Sequence, residues 1–169
     1  MRTQGRGSPI NADSRLGRPK PRNRSSFRGF KPSSPSASAV GKSNIRENTK
    51  PEVILSRALK RIHLPFATHD GTLPGCPDFV FRTEKVAVFC DGDFWHGRRW
   101  SARRRKLARG HNSSYWIAKI QGNITRDGKT RRKLRRLGWK VLRVWESDVL
   151  TDPLGVAERV AAVVEGTER

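Results

Sequence analysis

The stretch Pro77–Gly97, PDFVFRTEKVAVFCDGDFWHG, limits what this chain can fold into more than any other. Phe79–Phe81 and Val86–Cys90 are apolar almost throughout, the pattern of strands buried on both faces. The polar link Arg82–Lys85 between them is short enough for an antiparallel hairpin. Such a hairpin would return the acid before its first strand, Asp78, to the acids after its second, Asp91 and Asp93. Carboxylates gathered on a rigid sheet are one economical way to build a metal site.

The flanking sequence predicts helices on both sides of this hairpin. Thr49-Lys50-Pro51-Glu52 has the form of a helix start, with Thr49 as N-cap, Pro51 in the first turn and Glu52 three residues after the cap. Val53, Ile54, Ala58, Leu59 and Ile62 then recur at helical spacing. Leu64–His69 reads as a short strand, followed by a turn at Asp70-Gly71. The segment Leu73-Pro74-Gly75-Cys76-Pro77 reads as a loop stiffened by two prolines. Further on, Ser113 or Ser114 could cap a helix carrying Tyr115, Trp116, Ile117 and Ile120. A second, strongly basic helix is expected over about residues 123–137, stopped by Gly138. Trp139–Trp145 reads as a strand, and Asp152-Pro153 opens a last helix with Leu154, Val156, Val160, Ala161, Val163 and Val164. The fold class expected is α/β, a mixed sheet flanked by helices, over residues 46–169. Residues 1–45 hold one acid, Asp13, and no periodic apolar residues, so a disordered basic tail is expected there.

Charge narrows the partner. Thirty-six Lys and Arg against fifteen Asp and Glu leave a formal net charge of +21. Self-repulsion on that scale favours a polyanionic partner, with double-stranded DNA first. The run Arg98–Arg109 contains no acid and follows directly on the acid and aromatic cluster. It therefore reads as a phosphate-contacting segment, with Arg98, Arg99, Arg103, Arg104 and Arg105 as contacts. No apolar run approaches the roughly 18 residues of a spanning helix, and the N-terminus lacks a signal-peptide core. Cys76 and Cys90 are too few for a disulfide framework or a cysteine-based zinc site. A cytoplasmic monomer is expected, nucleoid-associated if bacterial, with no membrane partner.

The acids carry the chemistry. Phosphodiester hydrolysis needs charge screening and an activated water, and carboxylates holding Mg²⁺ supply both. Asp91 and Asp93, two apart, would share a face if the strand extends that far. His96 could move the proton, since imidazole titrates near neutrality; an ordinary surface histidine is the alternative. His63, His69 and His111 lie elsewhere in the sequence. Glu52 is either a capping acid or a site residue. Phe94 and Trp95, adjacent aromatics in an expected loop, suit stacking or wedging between bases.

Six blocks carry a resemblance. These are Thr49–Glu52, Leu73–Val80, Phe94–His96, Tyr115–Ile120, Asn123–Asp127 and Leu137–Glu146. In order and spacing they resemble the very short patch repair (Vsr) endonucleases over roughly residues 42–150. The resemblance implies a restriction-endonuclease-like fold and an enzyme that nicks one strand 5′ of the thymine of a T:G mismatch, using Mg²⁺. It implies that Asp78 is the metal-binding catalytic acid, with Glu52 close by. It further implies that His96 is a catalytic histidine, that Asp127 orients the site, and that Phe94, Trp95 and Trp116 are the aromatics that enter DNA. Asp91 stands where the family has a second histidine and would serve as a second metal carboxylate. Asp93, Arg98, Trp100 and Ser147 stand at the family's zinc positions. No structural zinc is expected, and that segment would be held by packing or by DNA. A Vsr-like homing or phage-associated site-specific endonuclease and a DNA-binding module without catalysis are the alternatives.

Overall fold

The computed structural model describes residues 47–166, so the reading of residues 1–45 as a tail lies outside the described residues. Order starts at the capping residues. The Thr49 N–H and hydroxyl both donate to the Glu52 carboxylate, at 3.2 and 2.7 Å, and helix α1 runs over Lys50–Arg61. Leu55, Ala58 and Leu59 form its buried face, with Val53, Ile54 and Ile62 half-buried. Leu55, absent from the expected stripe, is fully buried at its centre. Truncating it to alanine would cost about 2–5 kcal/mol, the range for a core leucine.

Four strands form one sheet in the order β1-β2-β3-β4: β1 Ala67–Thr68, β2 Phe79–Phe81, β3 Val86–Asp91 and β4 Lys140–Trp145. β1–β2 and β2–β3 are antiparallel, and β3–β4 is parallel. The expected hairpin is present, with Phe79 opposite Val88 and Phe81 opposite Val86. β1 is shorter than the strand expected over Leu64–His69. Pro65 has no N–H to give a ladder, and His69, at φ 50°, leaves the extended region.

The parallel pair β3–β4 needs a crossover, supplied by helices α2, Trp100–Ala108, and α3, Ser113–Arg136. α2, the acid-free run, buries no residue. α3 is one helix of 24 residues where two were expected. Gly122 does not break it: a solvent-facing helical glycine costs only about 1 kcal/mol relative to alanine. Gly138 ends it as expected, at φ 79°. Its N–H reaches the Arg135 carbonyl at 3.0 Å, and the Trp139 N–H reaches that of Leu134 at 3.1 Å, the paired bonds of a Schellman terminus. After β4 come α4, Glu146–Thr151, which was not expected, and α5, Pro153–Glu165, capped by the Asp152 side chain on the Gly155 N–H.

Alternation along the strands divides the sheet between two layers. Phe79, Phe81, Val86, Val88 and Val144 point into the core that α1, α4 and α5 complete with Leu55, Leu59, Val149, Val156 and Val160. The opposite parity, Phe89 and Asp91 on β3 with Arg143 on β4, turns toward α3. That parity puts charged groups at the strand ends beneath a helix. No helix among the described residues is long and apolar enough to cross a membrane.

Candidate active site

Asp78 is fixed where the stiff loop enters β2. Its N–H donates to the Val88 carbonyl at 3.0 Å, and its carboxylate accepts the Cys90 N–H at 2.7 Å. Burial pushes this carboxyl up to about 7, the Cys90 N–H opposes the shift, and the like charges of Glu52 and Asp91 add to it. Glu52, buried at the start of α1, lies beside it. So does His69, whose Nε2 is 3.7 Å from a Glu52 oxygen. One ligand atom from each of Glu52, His69 and Asp78 falls within 4.8 Å of the others. His69 was expected elsewhere, yet the β1–β2 pairing sets it next to Asp78, its N–H on the Asp78 carbonyl at 3.3 Å.

A second group adjoins the first. His96 Nδ1 lies 2.7 Å from Asp127 of α3 and 3.0 Å from Asp91 at the end of β3. Asp91 also binds the Arg143 guanidinium, which approaches Asp127 at 3.5 Å. Burial works against the Asp127 charge, but the His96 hydrogen bond and the charges of His96, Arg143 and Arg126 hold its carboxyl below the usual range. Arg143 did not emerge from the sequence reading. The available signal was an arginine at an inward position of an otherwise apolar strand, WKVLRVW. Nδ1–H faces two carboxylates, which leaves Nε2 as the nitrogen that can exchange a proton with a reactant.

The two groups differ in how their negative charge is balanced. Asp91 and Asp127 share Arg143 and His96. Among the described residues, the one ion-pair partner of Glu52 is His69, and Asp78 has none. Asp78 and Asp91, expected together as metal carboxylates, therefore sit in different surroundings.

Asp91 and Asp93 do not share a face as expected, because β3 ends at Asp91 and the chain turns. Asp93 instead accepts the Ser147 N–H at 3.4 Å and pairs with Arg98 at 3.6 Å. Arg98 also donates to the Ser147 hydroxyl and to Asp148 at 2.6 Å, and lies over the Trp145 ring at 5.8 Å. Three of the four positions compared with zinc ligands thus meet through an arginine. The fourth, Trp100, donates from its indole to Gln121 at 2.9 Å. Ion pairs, hydrogen bonds and the packing of Arg98 on Trp145 tie this segment together.

Arg98 is turned into the protein, whereas Arg99, Arg104 and Arg105 face solvent. Arg103 stacks over Phe94 at 5.3 Å. Phe94, Trp95 and Trp116 form one aromatic group, with ring centroids 5.1–5.9 Å apart. The turn that presents them is fixed by the Asn123 amide on the Trp95 carbonyl at 2.9 Å. Gly97, at φ 72°, lets the chain pass α3, since a Cβ there would come 2.5 Å from Ile124.

Residues 32–102 match the family model described as DNA mismatch endonuclease Vsr. The chain is 42% identical over 122 residues to the type II nicking enzyme V.NmeDIP of Neisseria meningitidis serogroup C, covering 72% of this chain and 81% of that protein. It is 38% identical over 111 residues to the type II nicking enzyme V.HpaIIP of Haemophilus parainfluenzae, covering 66% and 77%. With the DNA mismatch endonuclease Vsr of Escherichia coli it shares 37% over 83 residues, 49% of this chain and 51% of that one. The chain belongs to the Vsr family of DNA endonucleases.

Proposed function

We propose that this endonuclease nicks one strand of duplex DNA with a divalent cation held at Asp78, Mg²⁺ being the physiological ion. The observation that carries the reading is the contrast between two adjacent groups. One is a carboxylate pair, buried Glu52 and half-buried Asp78, with no arginine or lysine partner among the described residues; the other is a histidine oriented by Asp127 at 2.7 Å. An acid pair without a fixed cation suits a metal, and its carboxylate oxygens are chemically apt donors for one. When bound, the cation screens charge developing on the phosphate and acidifies water. His96 accepts a proton at Nε2, and Asp127 and Asp91 stabilise the resulting imidazolium. Asp91, neutralised by Arg143, is read as orienting His96 and not as a metal ligand. Arg99, Arg103, Arg104 and Arg105 contact phosphates, and Phe94, Trp95 and Trp116 enter the base stack.

The test is nicking of supercoiled plasmid in Mg²⁺, with Asp78→Ala expected to abolish it. Undiminished nicking by Asp78→Ala would exclude the metal assignment. T:G mismatch nicking is the substrate proposed, in line with the mismatch endonuclease in the family. Duplexes differing only in a T:G or T:A pair test it. Equal cutting of the two would instead favour a site-specific endonuclease acting on intact sequence.

A further inference from the structure

We propose that His69 is a direct ligand of the cation at Asp78, making this a mixed nitrogen and oxygen site that takes Mn²⁺ more tightly than Ca²⁺. The inference rests on the metal reading above and adds a residue and a preference to it. Three observations carry it. The ligand atoms of Glu52, His69 and Asp78 lie within 4.8 Å of one another, a spacing that one ion can bridge. His69 Nε2 is 3.7 Å from the Glu52 carboxylate, longer than a hydrogen bond, so the pair stand near each other without closing directly. Arg143, which neutralises the neighbouring group, makes no ion pair with Glu52 or Asp78 among the described residues.

The fold fixes the ring from its backbone. β1 stops at Thr68, and His69 takes φ 50°, a region histidine enters more readily than most residues. The His69 N–H then closes on the carbonyl of Asp78, tying the imidazole to the carboxylate it would share an ion with. The next residue, Asp70, is locked by Thr72 and Arg82 and does not compete for the ion. Affinity for nitrogen donors rises along the first row from Mn²⁺, its weakest member, whereas Ca²⁺ takes oxygen donors. Loss of one nitrogen should therefore weaken Mn²⁺ far more than Ca²⁺.

The experiment follows free Mn²⁺ by electron paramagnetic resonance on the full chain without DNA, with Ca²⁺ measured by competition. The wild type should bind Mn²⁺ at a site that Asp78→Asn removes. His69→Ala should weaken Mn²⁺ at least tenfold while changing Ca²⁺ less than twofold. Loss of binding in Asp78→Asn with His69→Ala within twofold of wild type would overturn the role of His69 alone. Unchanged binding in Asp78→Asn would overturn the metal reading beneath it. Should His69→Ala fail to fold, nitrogen hyperfine coupling to bound Mn²⁺ in the wild type decides the matter. The coupling of a directly bound imidazole nitrogen supports ligation, and its absence at saturation refutes it.

Discussion

His96 Nδ1 and Asp127 Oδ2 lie 2.7 Å apart, joining a turn after β3 to the middle of α3 across 31 residues of chain. The contact selects the tautomer with hydrogen on Nδ1 and steadies the charge that His96 would gain as a base. Asp127→Asn should therefore lower kcat with little change in KM. A loss of about 10²-fold is expected, short of the roughly 10⁴-fold for an orienting acid with no reserve, because Asp91 remains 3.0 Å from the same nitrogen. Single-turnover nicking measures it; a loss below threefold would remove Asp127 from the mechanism.

The Asp91–Arg143 pair makes a different prediction, because both side chains are largely buried. Asp91→Ala leaves the guanidinium only the longer contact with Asp127 at 3.5 Å, and breaking a buried pair costs about 3–5 kcal/mol. Arg143→Leu removes a charge that fits an apolar strand, but it leaves Asp91 and Asp127 facing each other through His96 alone. Urea unfolding should show Asp91→Ala destabilised by at least about 2 kcal/mol after allowance for partial exposure. The double variant Asp91→Ala with Arg143→Leu should recover much of that loss, and additive losses would contradict the pairing.

Much of the frame was legible in the sequence because its signals are local. The capping residues at Thr49–Glu52, the hairpin around Arg82–Lys85 and the stop at Gly138 each depend on a few adjacent side chains. The site was legible only in part. Asp78, His96 and Asp127 come from motif blocks, but the partners Arg143 and His69 depend on strand register and pairing. Nothing near His69 in sequence points to Glu52; the link exists only once Thr68 pairs with Phe79. A shared face for Asp91 and Asp93 depends on β3 running past Asp91, and nothing local marks where that strand stops. The merger of two helices into α3 has the same origin, since tertiary packing of Ile120 and Leu134 outweighs one glycine.

Arg98 should support the turn without zinc. Its bonds to Asp93, Ser147 and Asp148 are partly exposed, so Arg98→Ala should cost about 1 kcal/mol, lowering Tm by a few degrees. Metal analysis of the purified wild type should find well under one zinc per chain. Stoichiometric zinc would contradict the arginine's structural role.

The raised Asp78 carboxyl makes stability depend on pH in a direction opposite to ordinary acid denaturation. In the unfolded chain this group titrates near 4, and in the metal-free fold burial pushes it up to about 7. Below about pH 4 both states hold the proton, and this group's contribution is complete. Between about 4 and 7 the unfolded chain releases a proton that the fold retains, so the contribution falls as pH rises. The full span corresponds to about 4 kcal/mol at 1.36 kcal/mol for each pH unit. Asp127, held low by His96 and Arg143, acts in the opposite sense and loses its contribution only as pH falls below the ordinary carboxylate range. The comparison to make is metal-free wild type against Asp78→Asn by urea unfolding across pH 4–8. The difference should grow in favour of the variant up to about pH 7 and then level off. Saturating Mn²⁺ should reverse the trend for the wild type alone, since the cation binds the ionised carboxylate. A pH-independent difference between the two proteins would show that burial does not hold the Asp78 proton.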